Sequence, residues 1–300
     1  SGWGIALWKA SDNVVSYNLT DFCVRISRGG FGGDSAALCL VNESNRNYVV
    51  GNSMTHGGDG FFLTNLTDTG YDQQADRYVP KGGSDDNIIA YNDGSWSQAN
   101  AFEGTFSRRN VYFKNFSNDC GYGYWLGFSC DTLIAQNQIM RNTNNGIAIE
   151  QGSGNTVVGN EFDGNGNAAV RLWSGTGKAR AGVPSRDLEI RANIIRNSPA
   201  AVSLTGSTDY YVGNNTLENA PLPQDFASTK PPSEQSAVSK FLASPQYDKL
   251  QQIVAARPKT YKLYRESEAP VGLAWIEFDP YAPRDFRSSL AAYHSNGWGA

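Results

Sequence analysis

The chain has 300 residues, including 32 glycines and only 18% charged residues, so it is long enough to bury a sizeable core. Its formal net charge of −4 argues against nucleic acid as a partner, because the nucleic-acid backbone is bound by clustered lysine and arginine. No segment approaches the roughly eighteen apolar residues of a membrane-spanning helix, so a membrane partner is not expected either.

Short apolar segments recur along the first 220 residues, and each begins with a small residue. These small residues are separated by 22–23 residues, or by longer intervals that mark insertions: Gly4, Ala37, Gly60, Ala101, Gly123, Gly146, Ala169 and Ala201. A second recurring position is asparagine in all eight repeats: Asn18, Asn52, Asn92, Asn115, Asn137, Asn160, Asn193 and Asn215. A fixed period of this length is typical of a solenoid.

We predict that each repeat is one coil of a parallel β-helix, with short strands stacked on the equivalent strands of the next coil. Asparagine suits the bends because it tolerates left-handed backbone geometry and because stacked side-chain amides bond to each other. Leucine-rich repeats have a similar period, but their leucine pattern and helical segments are missing here. The predicted fold class is therefore all-β, a right-handed single-stranded parallel β-helix of about eight coils over residues 1–220.

The repeat stops near residue 220. Residues 221–236 are rich in proline and serine and are predicted to be a linker. Residues 237–300 begin with apolar residues at helical spacing, in "SPQYDKLQQIVAARP", and continue as an extended segment. We expect this tail to pack on the end or side of the β-helix, or to be the start of a truncated module.

The coils follow the pattern N-x-I-x-x-N … G-I-x-L, and with it residues 1–220 resemble right-handed parallel β-helix proteins of the NosD-like type. That group includes periplasmic accessory proteins, mannuronan C5-epimerases, polysaccharide lyases and glycoside hydrolases. The resemblance implies a carbohydrate-active protein that works in the periplasm or outside the cell. It does not specify a reaction. Because the chain begins inside a strand pattern without a methionine, we expect an excerpt or a mature form with no visible signal peptide.

Alternation within the first strand of each coil separates inward from outward residues. The outward positions collect four of the seven tryptophans: Trp3, Trp8, Trp125 and Trp173. Exposed aromatic rings suit sugar rings, which stack on the indole, although they also suit a packing partner. We predict that a polysaccharide or oligosaccharide binds along this face, flanked by the insertions 65–83 and 174–185. The predicted binding residues are Trp125, Tyr122, Arg171, Trp173, Phe62, Asn100, Asn145 and Trp8, with His56 at the rim.

One outward position carries a carboxylate within a strand, Glu103 in "AFEGTF". Its predicted neighbours in the adjacent coils are Phe62 and Trp125, an apolar sandwich that favours the protonated form a general acid needs. Glu150, two coils on, and Asp59, one coil back, are the candidate second carboxylates. The expected distance from Glu103 to either carboxylate is long for a retaining glycosidase and nearer to that of an inverting one. The inward Gly104 would leave room for Leu63 or Leu126.

The favoured function is a glycoside hydrolase with carboxylate acid/base catalysis and no cofactor. The first alternative is a polysaccharide lyase or uronate C5-epimerase. Epimerases carry "G-F-D-P-H", in which Glu103 takes the position of the aspartate and Thr105 that of the histidine. Such enzymes neutralise the sugar carboxylate with cations, here Arg171, bound Ca²⁺ or the loop residues Arg77, Lys81, Lys178 and Arg180. The second alternative is a carbohydrate-binding or NosD-like accessory protein without catalysis.

Overall fold

A computed structural model describes residues 2–24, 26–27, 30–31, 35–65, 70–72, 77–79, 82–174, 184–224 and 226–267, with side chains outside 25–34 and 66–81. The chain winds through eight coils that build three parallel sheets. The insertion residues Arg77, Lys81, Lys178 and Arg180 lie outside the described side chains.

Sheet A holds the first strand of every coil, and its eight strands are hydrogen-bonded in chain order. They are Trp3–Trp8, Ala36–Val41, Asp59–Thr64, Asn100–Gly104, Tyr122–Trp125, Ile147–Glu150, Ala168–Trp173 and Ala200–Thr205. Sheet B contains Val14–Ser16, Tyr48–Val50, Ile88–Ala90, Val111–Phe113, Leu133–Ala135, Thr156–Val158, Arg186–Arg191 and Thr208–Gly213. Sheet C contains Phe116–Asn118, Gln138–Met140, Glu161–Asp163, Ile194–Arg196 and Thr216–Glu218.

Smaller elements complete the description. Two antiparallel hairpins pair Ile26–Ser27 with Gly30–Phe31 and Gly70–Asp72 with Arg77–Val79. Near the C-terminus lie the helices α1 (Ala237–Leu242) and α2 (Pro245–Ala255) and a 3₁₀ turn at Tyr264–Glu266.

The strand register of sheet A confirms the repeat read from the sequence. Two columns of sheet A pair from coil to coil without a slip. The inward column is Ile5, Leu38, Phe61, Phe102, Tyr124, Ile147, Val170 and Val202, and the central outward column is Ala6, Cys39, Phe62, Glu103, Trp125, Ala148, Arg171 and Ser203. The inward residues Phe61, Phe102 and Tyr124 are fully buried, and the Phe102 and Tyr124 rings stack at 5.0 Å. A register shift of one residue would turn this apolar column toward solvent, so the core itself fixes the register.

The asparagine column forms a continuous hydrogen-bonded ladder inside the turn after sheet B. Asn137 shows the pattern, since its Nδ2 donates to Asn160 Oδ1 at 2.9 Å and to the Tyr112 carbonyl at 3.0 Å. Its own Oδ1 accepts from the backbone N and the Nδ2 of Asn115. We expected the ladder asparagine itself to adopt the left-handed conformation. In the structure the residue before it does so, for example Gln136 with φ of 56°. A second ladder, missed in the sequence, joins Asn13, Asn47, Asn87 and Asn110.

The segment after the last coil covers the end of the β-helix. Residue Ala201 donates its N–H to the Pro221 carbonyl, and Tyr210 exchanges hydrogen bonds with Thr229. Leu222 and Phe226 pack against the main core. Within the range expected to be a linker, residues 221–230 therefore act as a cap on coil eight.

The tail then turns back along the outer face of sheet B. Phe241 of α1 and Leu250 of α2 are buried in a second apolar cluster with Tyr48, Ile88 and Phe113. Beyond α2, the Arg265 guanidinium forms an ion pair with Asp93, whose side chain is fully buried. The tail thereby covers sheet B. Its described residues take no part in the apolar cluster on the outward face of sheet A.

The space beneath Gly104 is filled differently from the prediction. The hydroxyl of the fully buried Tyr112 occupies the position that a Cβ of residue 104 would take, and Leu126 Cδ2 lies 3.2 Å from it. A tyrosine from sheet B, not only a neighbouring leucine of sheet A, thus explains the glycine. That hydroxyl has no hydrogen-bond partner among the described residues.

Replacing a ladder asparagine in the middle of the column should cost more stability than replacing one at its end. Asn137→Ala leaves Asn115 and the Tyr112 carbonyl without their partner in the interior, and we expect a loss on the order of 3 kcal/mol. Asn215→Ala, at the last coil, should cost about 1 kcal/mol. Chemical denaturation measures both, and equal losses would contradict the ladder as a source of stability.

Gly104→Ala should destabilise the fold by about 1–3 kcal/mol, because the new methyl group overlaps the Tyr112 hydroxyl. Tyr112→Phe removes that hydroxyl, which is buried without a partner, and should be close to neutral. In the double variant, most of the loss caused by Gly104→Ala should disappear. Additive losses in this double-mutant cycle would show that the two groups do not meet.

Candidate functional site

The outward face of sheet A is divided into a covered part and an open part. In coils two and three its side chains are buried, and Ala36, Cys39, Val41 and Phe62 form an apolar cluster against which Trp3 packs. Phe62 is only 7% exposed. Trp8, which is 52% exposed, lies in coil one on the far side of this cluster. The structure therefore covers Phe62, although it pairs in register with Glu103, and separates Trp8 from the other predicted binding residues.

Coils four to seven carry the open part of the face, which we name the open patch: Glu103, Trp125, Glu150, Arg171 and Trp173. Arg171 is exposed and the other four are half-buried. The rings of Trp125 and Trp173 lie 5.4 Å apart, and Tyr122 contacts Trp125 edge-on at 5.2 Å. These aromatic residues come from sequence positions about 50 apart and meet only because the coils stack in register.

Gly127 lies in the middle of the open patch, next to Trp125. This residue shares an outward column with Thr105 and Glu150 and is the one glycine in that column. A Cβ placed there would lie 3.6 Å from the Trp125 Nε1 and 3.8 Å from the Glu150 Cβ, which is ordinary contact. Gly127 is buried, and the space that a Cβ would take there lies beside the indole N–H of Trp125. The sequence shows the glycine, but not that Trp125 borders it.

Asn100 links the two carboxylates at the upper end of the patch. Its Nδ2 donates to Asp59 Oδ1 and to Glu103 Oε2, at 2.9 Å each, and its backbone N–H also donates to Asp59 Oδ1. The two carboxylate oxygens share one nitrogen and so lie no more than about 6 Å apart. This spacing is shorter than the sequence suggested. An amide N–H donated to a carboxylate stabilises its ionised form, which opposes the effect expected from Phe62 and Trp125.

Burial separates the roles of the three candidate acids. Asp59 is 2% exposed and Asn100 is 7% exposed, so both lie beneath the surface. Asn100 hydrogen-bonds to Glu103 from this buried position. Glu150 is half-buried and two coils from Glu103, which places it roughly 10 Å away along the axis before any lateral offset. Asp59 is thus close to Glu103 but covered, while Glu150 is accessible but distant.

Arg171 is held by an aromatic ring. Its Cζ lies 4.7 Å from the centre of the Trp173 ring, within cation–π range, and no ion pair with Glu150 is found in the described part of the chain. Burial raises the pKa of Tyr122, and the positive charge of nearby Arg171 partly offsets that effect. The guanidinium of Arg171 therefore lies close to the aromatic residues Tyr122 and Trp173.

Two predicted binding residues are structural. Asn145 is 1% exposed, and its Oδ1 accepts from the N–H of Ala168 at 3.2 Å. His56 is 6% exposed and lies between the rings of Phe22 and Trp96, with Tyr264 of the tail against its edge. Its Nδ1 is 2.8 Å from Thr55 Oγ1. His56 is thus buried against Tyr264 of the tail and not exposed at a rim, and a binding role for it stays a prediction.

Neither a metal cluster nor a membrane span is found where the chain is described. No group of three or more His, Cys, Asp or Glu side chains in those ranges is arranged to hold a metal ion. No described helix is long and apolar enough to cross a membrane.

Comparison with known proteins identifies the fold and the family of this chain but not its activity. A family model described as a right-handed β-helix region matches residues 3–182 and 81–221. Among solved structures, a point mutant of the periplasmic alginate epimerase AlgG aligns with TM-score 0.50 and 12% identity over 72% of this chain and 47% of the epimerase. The Streptococcus pneumoniae surface adhesin PfbA aligns with TM-score 0.42 and 11% identity, over 71% of this chain and 64% of PfbA. The chain matches no curated protein.

The buried His56 should make stability depend on pH between about 4 and 6.5. Burial lowers its pKa to about 4, whereas the unfolded chain has a value of about 6.5, so the unfolded state binds more protons within this window. The free energy of unfolding should fall as the pH drops through it, by about 3 kcal/mol. His56→Phe keeps the ring stacking and should remove this part of the slope in denaturation series at several pH values. An unchanged slope would contradict the assignment.

Proposed function

Since this chain belongs to the right-handed β-helix family, and the outward face of sheet A is open over coils four to seven, we propose that the open patch binds a polysaccharide and that Glu103 performs acid–base chemistry on it. The observation that carries the proposal is the meeting of Trp125 and Trp173, half-buried and 5.4 Å apart, on the face that presents Glu103. Half-buried aromatic rings offer apolar faces on which sugar rings can stack. Glu103, Glu150 and Arg171 would bind hydroxyl or charged groups of the polysaccharide.

The geometry supports proton abstraction from a uronate better than hydrolysis. A hydrolase needs two carboxyl groups that reach the same bond, at most about 9.5 Å apart. Asp59 is covered and Glu150 lies two coils away, so neither makes a good partner for Glu103. Hydrolysis is therefore the less supported alternative.

Glu103 suits the role of a base because Asn100 donates an N–H to its carboxylate. In a uronate, the hydrogen on C5 is acidic because it lies next to the sugar carboxylate. Glu103 would accept this proton as the C5–H bond breaks. Departure of the C4–O leaving group, whose oxygen takes a proton from a second acid, then gives an unsaturated sugar, as in a lyase. Donation of a proton to C5 by a second acid on the opposite face gives the C5 epimer. An alginate epimerase shares the fold, which is compatible with this chemistry but at 12% identity does not carry it.

Thr105 marks a difference from the epimerase pattern in "AFEGT". It stands where those enzymes have histidine, it is 6% exposed, and its hydroxyl donates to Thr64 Oγ1 at 3.1 Å. Any second acid or base must therefore come from another residue. For a protein with this function we expect a periplasmic or extracellular location.

The test is a panel of alginate, polygalacturonate and neutral polysaccharides, assayed for ultraviolet absorbance, reducing ends and, by NMR, C5 configuration. Glu103→Gln should lower turnover by about 10²–10⁴. Binding should stay within a few-fold, because the aromatic patch is unchanged. Glu218→Gln, on an exposed strand of sheet C, is the matched control and should retain full activity.

The outcomes separate the alternatives. Full activity of Glu103→Gln would eliminate Glu103 as the base. Reducing ends without ultraviolet absorbance would indicate a hydrolase, and binding without any product would indicate an accessory protein. Trp125→Ala removes one of the two half-buried indole rings of the open patch and should weaken binding. If it has no effect on binding, the ligand does not occupy the open patch.

A further inference from the structure

Arg171 has the properties of an anion-binding residue rather than of a structural ion pair. Its guanidinium lies over Trp173, with Cζ 4.7 Å from the ring centre. Stacking uses the face of the guanidinium and leaves the N–H groups at its edge free to bind a planar carboxylate in the bidentate manner. Its side chain is exposed, and no carboxylate in the described ranges forms an ion pair with it.

Other described arginines on the surface behave differently. Arg46, Arg109 and Arg141 each form a bidentate pair with an aspartate of the preceding coil. These pairs link neighbouring coils and satisfy both charges. Arg171 breaks the pattern, because it is stacked on an aromatic ring of the open patch instead of being neutralised by a neighbouring coil.

The position of Arg171 relative to Glu103 is set by the coil register. Both belong to the central outward column of sheet A, three coils apart, with Trp125 and Ala148 between them. At the strand spacing of about 4.8 Å, their backbones are roughly 14 Å apart along the axis. One coil advances about as far as one pyranose ring in an extended chain. A polysaccharide that lies along the axis would therefore place a different sugar at each of the two residues.

We infer that Arg171, stacked on Trp173, forms a subsite for the carboxylate of a uronate, several sugars away from the one that reacts at Glu103. This inference rests on the proposed function and makes it more specific. The substrate is an acidic polysaccharide, its length must span coils four to seven, and Arg171 is a specificity-determining residue outside the reacting position.

The experiment compares each acidic polymer with its carboxyl-reduced form, which keeps the same sugar chain but loses the charge. Affinity electrophoresis and calorimetry would be run on the full chain with alginate, polygalacturonate and their reduced forms. Arg171→Met should weaken binding to an acidic polymer about tenfold, the loss typical of a charged hydrogen bond, and leave binding to the reduced form unchanged. Arg141→Met, an exposed arginine paired with Asp119, is the control and should change neither.

A second measurement uses chain length. Oligouronates too short to reach from Glu103 to Arg171 should be bound equally by wild type and Arg171→Met. Longer oligouronates should be bound more tightly by the wild type than by Arg171→Met. Equal losses on acidic and reduced polymers, or no loss on either, would overturn the subsite. So would a failure of the wild type to prefer acidic polymers. If the wild type binds no polysaccharide at all, the proposed function itself fails, and that result is distinct from the others.

Discussion

Stacking of equivalent residues in successive coils is the constraint on which the rest of this structure depends. Three parallel sheets require every coil to repeat the register of the one before it. The interior asparagines enforce that register, because each side-chain amide bonds both the amide and the backbone of its neighbours. The inward aromatic column supports it from within, since a slip would expose apolar rings. Individual coils vary in length by insertions, yet the stacked positions stay aligned.

That alignment also builds the candidate site. Glu103, Trp125, Arg171 and Trp173 lie far apart in the chain but become neighbours on one face. Asn100, on the same strand as Glu103, bonds both Asp59 and Glu103, and so a buried amide fixes the surface carboxylate. The ability of a β-helix to assemble a linear array of side chains suits a linear ligand, with a different interaction in each coil. Charge, stacking and acid–base groups are then ordered along one axis.

The sequence allowed the coil register, the inward column and the asparagine ladder to be predicted, because all three repeat with the period of the chain. It did not allow the features that break the repeat to be predicted. The Tyr112 hydroxyl beneath Gly104 comes from another sheet, and its reach depends on a rotamer, not on a spacing. His56 is buried by Tyr264, a residue more than 200 positions later. Outward direction likewise did not mean exposure, since Phe62 and Asp59 point outward and are covered. Alternation gives the direction of a side chain but not what lies over it.

The returning tail changes how this solenoid resists unfolding. Repeat proteins contact only adjacent repeats, so they open from an end, one unit at a time. Here the segment after coil eight runs back across sheet B, where Tyr17 of coil one donates its hydroxyl proton to the Ile253 carbonyl and Arg265 pairs with Asp93. The last part of the described chain is thus fastened to the first coils. Fraying at the early coils must also release the helices that cover the middle ones, so a chain built from nearly independent repeats acquires the cooperativity of a globular domain.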